Sequence, residues 1–274
     1  MNSTPINSVE YENFPAEIRR YLIDAGVTII KNNSRSSVYH IKGPVHDYFL
    51  KVTSKDQMNC EAIMTNFLYN FGLCPKVVHY ISNDTNDYFV TERLTGSDAA
   101  SDEYLEQPGH LSEVFADSLL SLHRVQPVNC PITNGLEEMV IRAERKYREG
   151  RFEKGLLRYL GYSNIKIAYE DMISLFKNST EDRVVTHGDY CLPNLILQDF
   201  KMTGYIDVGY GGIGDRHYDI FWGLWSLQFN LRSDDYSKQF VKAYGKHLID
   251  QDRLRLFGLL SAFNGFRGQN YYEK

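Results

Sequence analysis

The sequence predicts an α+β chain in two lobes, a small strand-rich lobe followed by a larger, mainly helical one. Three observations predict it. The first third is dense in β-branched and aromatic runs separated by polar turns, and the remainder carries apolar residues at helical spacing. The third is the stretch 184–220, VVTHGDYCLPNLILQDFKMTGYIDVGYGGIGDRHYDI, where two short apolar runs have acids and an amide at their ends. At 274 residues the chain has room for two such lobes. Their expected extents are 1–94 and 95–274, with 132–165 a helical insertion in the second.

Residues 14–25 carry apolar side chains at helical spacing, with Pro15 suited to a first turn. Two β-branched runs, 27–30 and 38–41, flank the polar turn 31–37, whose exposed amides and hydroxyls can hold phosphate oxygens, although with no Walker signature the stretch alone reads first as an ordinary hairpin turn. Residues 48–52 read as a third strand and put Lys51 in apolar surroundings, where an unpaired ammonium would be costly. Ten residues on, Glu61 opens an amphipathic helix ending at Gly72; Lys51 alone reads as a solvated strand lysine, but upstream of the stretch 184–220 the pair reads as an ammonium aimed at phosphates. Runs 77–81 and 88–90 pair around the turn 82–87, and 91–96 breaks strand character as a hinge would, offering backbone groups near Glu92 and Leu94 to a purine.

Residues 111–124 make a helix, with His123 near its end as a packing or capping residue. Residues 139–160 look helical and mostly basic, a pattern that also fits a solvated face of mixed pairs. Helices follow at 167–176, at 220–231 (apolar almost all round), at 240–248 and at 253–263; the tail 264–274 carries no assignment.

A hydrophobic share of 43% excludes a disordered chain, and a net charge of −5 argues against a general nucleic-acid binder. The four cysteines are scattered without a C-x-x-C pair, so neither a zinc framework nor a disulfide scaffold is expected. No apolar run approaches the roughly 20 residues of a membrane span, and the first 14 residues lack the basic start and apolar core of a signal peptide. The expected setting is cytoplasmic.

The stretch 184–220 carries the chemistry. Asp189 and Asn194 precede the apolar run 195–197, and Asp207 closes the run 204–206. If the runs pair as a hairpin, an acid, an amide and a second acid converge. One acid could take a hydroxyl proton while the amide and the other acid give oxygen ligands to a hard cation. Singly, each of these residues fits a turn cap just as well. Together, H-G-D-x-x-x-x-N followed by I-D-x-G is far more specific, because it parallels the catalytic-loop and metal-loop pair of phosphoryl transfer, with His187-Gly188-Asp189, Asn194 and Asp207-Val208-Gly209 in the corresponding places.

In order and motifs the chain resembles the bilobal protein-kinase-like fold, and within it the aminoglycoside 3′-phosphotransferase family of antibiotic kinases. The resemblance is densest in residues 185–194, 204–209 and 212–220. It implies Asp189 as the catalytic acid facing the acceptor hydroxyl. It implies Asn194 and Asp207 as ligands of Mg2+, and Lys51, positioned by Glu61, on the α/β-phosphates. It further implies Ser34 over the β-phosphate, Phe49 stacked on the adenine, and Asp219 bracing the catalytic loop. The co-substrate would be ATP or GTP, and the acceptor a small-molecule hydroxyl of an aminoglycoside, modified in resistance. A less cationic hydroxyl acceptor is the alternative, and a kinase-like binding protein without catalysis is a third.

Three departures bear on the acceptor. The family binds its polycations with acids in the helical insertion and the C-terminal helix. Here the insertion around 150–161 is basic, with Arg151, Lys154 and Arg158 against Glu153. Leu259-Leu260 is followed by Ser261-Ala262 rather than by two acids, and Tyr210 stands where an arginine usually follows D-x-G. Coulomb attraction for a cationic acceptor is thereby weakened.

Overall fold

The computed structural model describes residues 4–5 and 12–265. The tail from residue 266 and most of the first 11 residues, including the start read above as lacking a leader, lie outside the described residues. The chain divides into two compact units. One comprises Met1–Ser97, Ile196–Asp199 and Thr203–Tyr210; the other comprises Asp98–Leu195, Phe200–Met202 and Gly211–Lys274.

The first unit is built on six antiparallel strands, β1 (Thr4–Pro5), β2 (Gly26–Asn32), β3 (Ser36–Lys42), β4 (Asp47–Ser54), β5 (Val77–Ser82) and β6 (Asn86–Glu92), in the order β1-β2-β3-β4-β6-β5. Strand alternation sends successive side chains to opposite faces. Leu50 of β4 with Tyr88 and Val90 of β6 meets Ile18 and Leu22 of α1 (Ala16–Leu22) in one core. Phe89 turns to the other face, against Met58 and Ala62 at the start of α2 (Asn59–Tyr69). Phe49 and Lys51 alternate with Leu50, and Lys51 lies opposite Phe89 in register.

Several expected boundaries move. The turn 31–37 is tighter than expected, because Lys31 and Asn32 still pair with Val38 and Ser37. Strand character continues through Thr91 and Glu92, which pair with Phe49 and Tyr48, so the break falls after them. The hairpin forms as β9 (Leu195–Gln198) and β10 (Lys201–Tyr205), its turn made by Asp199 and Phe200 at φ 51° and 58°. Ile206 lies outside β10.

The second unit is mainly helical. After β7 (Ser97–Asp98) and α3 (Asp102–Leu105), two elements the sequence reading passed over, α4 (Pro108–His123) starts with proline in its first turn. The expected single helix 139–160 is two, α5 (Leu136–Arg148) and α6 (Lys154–Tyr159), because Gly150 takes φ 68° between them. α7 (Ile165–Lys177) is capped by the Asn164 side chain, which accepts from the Lys166 and Ile167 amides. β8 (Arg183–Thr186) pairs antiparallel with β11 (Gly212–Asp215). α8 (Arg216–Leu231) follows, starting four residues earlier than expected because Asp215 caps it. α9 (Ser237–Tyr244) stops at Gly245, φ 111°, short of the expected 248.

The last helix, α10 (Gln251–Asn264), is buried from Leu256 through Phe263. It meets Leu136, Met139, Val140 and Ala143 of α5, Leu156 and Leu157 of α6, and Phe221 and Trp222 of α8. Each large side chain so buried contributes about 1.5–3 kcal/mol.

Candidate active site

In the first unit, β4 and α2 bring a cation to two acids. Lys51 Nζ lies 2.9 and 2.8 Å from the two Glu61 oxygens and 2.6 Å from Asp207 Oδ1. Burial alone would push the Lys51 ammonium down, but the Asp207 and Glu61 carboxylates outweigh it and hold it well above its ordinary value. The surrounding protein would raise Asp207, and the Lys51 charge turns that into a net lowering. Burial pushes Glu61 up, against the pull of Lys51. Asp207 takes φ 58°, a left-handed conformation that aspartate tolerates better than most residues and that is concentrated at functional sites. Gly209 follows so closely that an added Cβ would lie 3.1 Å from Glu61 Cβ.

The other residues expected on the nucleotide side lie in the same unit. Phe49 is half-buried two residues before Lys51, on the same face of β4, its ring 5.1 Å from that of His40. Ser34 sits exposed at the β2–β3 turn. The Arg35 and Ser36 amides of that turn donate to Asn33 Oδ1 at 2.9 and 3.0 Å, so two of the donors expected to face phosphate are already used. The Glu92 amide is likewise given to Lys76 O at 3.0 Å. The Leu94 amide makes no hydrogen bond among the described residues. The Leu94 side chain fills the space beside Gly204, where a Cβ would lie 2.8 Å from Leu94 Cδ1.

The second unit holds the loop 187–194. Gly188 takes φ 79°, and the buried Asp219 carboxylate accepts the His187 amide at 2.6 Å and the Gly188 amide at 2.9 Å. Further contacts hold the rest of the loop: the Tyr190 ring stacks 4.3 Å from Phe115, and the Leu192 amide donates to Ser226 Oγ at 2.9 Å. Asn194 Nδ2 donates to Asp189 O at 2.9 Å and lies 3.3 Å from Asp189 Oδ2. Its amide nitrogen is thereby tied to the loop, which leaves its Oδ1 as the free-standing donor oxygen of the side chain.

Asp207 and Asn194 Oδ1 are oxygen donors of the kind a hard cation takes. Among the described residues no three His, Cys, Asp or Glu side chains cluster as a self-sufficient metal site. Each residue by itself supplies an oxygen that magnesium accepts, and magnesium commonly fills the rest of its shell with phosphate and water oxygens. Taken one at a time, the two side chains are of a chemical type that fits magnesium.

Sequence reasoning missed Ser226, Phe115 and Asp87. Asp87 is fully buried and accepts the Gln57 and Met58 amides at 2.8 and 2.9 Å, ordering the start of the helix that carries Glu61. No local signal could reveal this, because its partners stand about 30 residues away.

The chain matches the model of the phosphotransferase enzyme family over residues 26–257. It is 32% identical over 255 residues to a probable aminoglycoside 3′-phosphotransferase of Lactococcus lactis, covering 93% of this chain and 97% of that protein. It is 30% identical to an aminoglycoside 3′-phosphotransferase of Niallia circulans, covering 92% and 97%. In fold it is similar to the crystal structure of an aminoglycoside-3′-phosphotransferase of type VIII, at TM-score 0.73 and 24% identity over 93% of this chain and 99% of that one. It is also similar to a Streptomyces rimosus aminoglycoside phosphotransferase in complex with ADP and streptomycin, at TM-score 0.72 and 22% identity over 94% and 99%. Among the described residues no helix is long and apolar enough to cross a membrane.

Proposed function

The chain belongs to the phosphotransferase enzyme family, among its aminoglycoside 3′-phosphotransferases, and from that premise we propose that it transfers the γ-phosphate of ATP or GTP to a hydroxyl of an aminoglycoside. The observation that carries this reading is the Lys51 ammonium held by Glu61 and Asp207. In an otherwise apolar strand such a cation is useful for phosphate oxygens. Lys51 binds the α/β-phosphates, Phe49 stacks on the base, and the hinge near Glu92 and Leu94 offers the Leu94 amide to it. Ser34 covers the β-phosphate from the β2–β3 turn.

Asp189 takes the proton of the acceptor hydroxyl as its oxygen forms the bond to the γ-phosphorus. The bond from that phosphorus to the leaving nucleoside diphosphate breaks, and the diphosphate departs. Asn194 and Asp207 hold Mg2+, which when bound neutralises charge on the phosphate oxygens. Positioning and charge neutralisation supply most of the rate in such a site. A reaction that consumes a nucleoside triphosphate belongs in the cytoplasm, and no nucleic acid or membrane partner enters it. The extents 1–94 and 95–274 divide nucleotide binding from catalysis and acceptor binding.

The test is nucleotide consumption by purified protein with magnesium and a panel of kanamycin-type acceptors, with the product phosphate located by mass spectrometry. Phosphorylation of an acceptor hydroxyl is expected; no phosphorylated product from any member would overturn the reading.

A specific observation favours a second reading, the same transfer to a less cationic acceptor. α5 carries a cluster of cations. Desolvation first, then the charges of Arg142, Arg151 and Arg145, lower the Lys146 ammonium. Arg142 and Arg145 also line, with Asn134 and Glu138, a surface depression of about 350 Å3. Such a face repels a polycation at low salt. Turnover of neutral hydroxyl compounds without turnover of kanamycin-type acceptors selects this reading; micromolar Michaelis constants for kanamycin-type acceptors reject it.

A further inference from the structure

Behind the loop 187–194 lies a buried chain of polar groups that the transfer reaction does not use directly. His123, at the end of α4, lies 3.2 Å through Nε2 from Asp219 Oδ2 and 2.7 Å through Nδ1 from the Tyr244 hydroxyl. Arg216 Nη1 donates to that hydroxyl at 3.1 Å, and Arg216 is itself paired with Asp182, Nε to Oδ2, at 2.6 Å. The His123 and Asp219 side chains have no exposed surface.

We propose that Tyr244 and His123 are positioning residues of the catalytic loop, the upstream members of a one-way hydrogen-bond relay that ends on Asp219 and fixes the backbone of His187 and Gly188. The direction of every bond follows from what each group can do. An ionised carboxylate only accepts, so His123 Nε2 carries a proton toward Asp219. Burial lowers the His123 pKa and outweighs the pull of Asp219, so the ring is neutral and Nδ1 offers a lone pair. The Tyr244 hydroxyl must then donate to Nδ1, and its oxygen accepts from Arg216, which can only donate. Burial raises the Tyr244 pKa to about 12, so the hydroxyl keeps the proton it gives.

Removing the Tyr244 hydroxyl frees the imidazole to take the other tautomer. A lone pair at Nε2 would then face the Asp219 carboxylate, and the acceptor of both loop amides would lose its third donor. Asp189 is the residue immediately after those two amides, so α9, some 50 residues downstream in sequence, helps set its position.

Only the kinetic arm of the test rests on Asp189 being the catalytic acid. Tyr244→Phe removes one hydroxyl and keeps the ring that lies parallel to Phe240. It should lower kcat by roughly three- to tenfold with KM for the nucleotide unchanged, as expected for one buried hydrogen bond. Independently of activity, hydrogen exchange in peptides spanning 183–192 should accelerate by a similar factor while peptides of α10 keep wild-type exchange. His123→Ala should show the larger effect on both, and His123→Gln, which can return an N–H to Asp219, should recover part of it. Wild-type kcat and wild-type exchange of 183–192 in Tyr244→Phe would overturn the relay. Should the wild-type protein transfer no phosphate to any acceptor, the reading of Asp189 fails, and the exchange measurement still decides the relay.

Discussion

Asp207 and Lys51 are 156 residues apart in sequence and 2.6 Å apart in space. Their pair gives a pH signature with two edges. The Asp207 pKa is lowered from an ordinary 3.8, so its contribution to stability is complete above that value and is lost as pH falls through the lowered one. The Lys51 pKa is raised from an ordinary 10.5, so its contribution is complete below that value and is lost as pH rises through the raised one. Lys51→Met leaves two carboxylates facing each other. It should cost about 1–3 kcal/mol at neutral pH, less than a fully buried pair because the Asp207 side chain is 42% exposed. Urea unfolding at several pH values checks this, and the mutant should lose the acid-side dependence that Lys51 confers on Asp207. Asp189→Ala acts differently. It should lower kcat by roughly 10²–10⁴-fold, the usual worth of a positioned general base, with an unchanged circular dichroism spectrum. Neither role could be assigned from the single residue: Lys51 alone fits a solvated strand lysine, and Asp189 alone fits a turn.

Elements are held in place by groups that local sequence does not advertise. α2 has no side-chain cap at Met58; from the start of β6 the Asp87 carboxylate instead holds the Gln57 and Met58 amides just ahead of the helix. Asp87→Ala should cost about 1–3 kcal/mol, since it leaves the Gln57 and Met58 amides without their partner, whereas Asp87→Asn should cost less. Burial tends to raise the Asp87 pKa, but its bonds to Ser82 and to the Met58 and Gln57 amides produce a net lowering, so this stabilisation is lost only as pH falls below the ordinary 3.8. Gly96 is a second such point. At φ 103° its missing Cβ would lie 1.9 Å from Leu197 O, so Gly96→Ala must displace backbone and should lower the melting temperature by several degrees in a thermal scan. The split of α5 from α6 belongs to the same scale: the run of basic helix-formers hid the break, and Gly150 in a left-handed conformation decided it.

For the whole molecule, the residues assigned to the nucleotide and those of the loop 187–194 belong to different compact units. Binding of magnesium nucleotide should stabilise the protein by mass action, by about 2.7 kcal/mol at a hundredfold excess over Kd. A thermal shift that vanishes with EDTA, and that shrinks in Asp207→Asn and Asn194→Ala while Asp189→Ala keeps it, would separate metal and nucleotide binding from proton transfer. A shift equally large in the presence of EDTA would rule out the magnesium assignment to Asp207 and Asn194. On the acceptor side, KM for a polycationic acceptor should fall as salt is raised through 0.1 M, where the Debye length is about 10 Å, if the α5 cations face it.

The sequence by itself determined most of the longer strands and helices and the 195–206 hairpin, because these are written locally, though not the short β7 and α3 or the break between α5 and α6. Alternation fixes a strand's two faces, 3.6-residue spacing fixes a helix's buried stripe, and the four-residue gap from Asp189 to Asn194 lets one amide tie back to the acid's own carbonyl. Only the tertiary structure decided which acids Lys51 pairs with, that Asp87 holds the amides leading into α2, that the β2–β3 turn spends two amides on Asn33, and that Tyr244 stands behind Asp219 through His123. The reason is physical: a charge or a hydrogen-bonding group acquires its role from the partner it meets, and those partners are brought together by the packing of apolar faces whose pattern says nothing about the polar groups carried beside them.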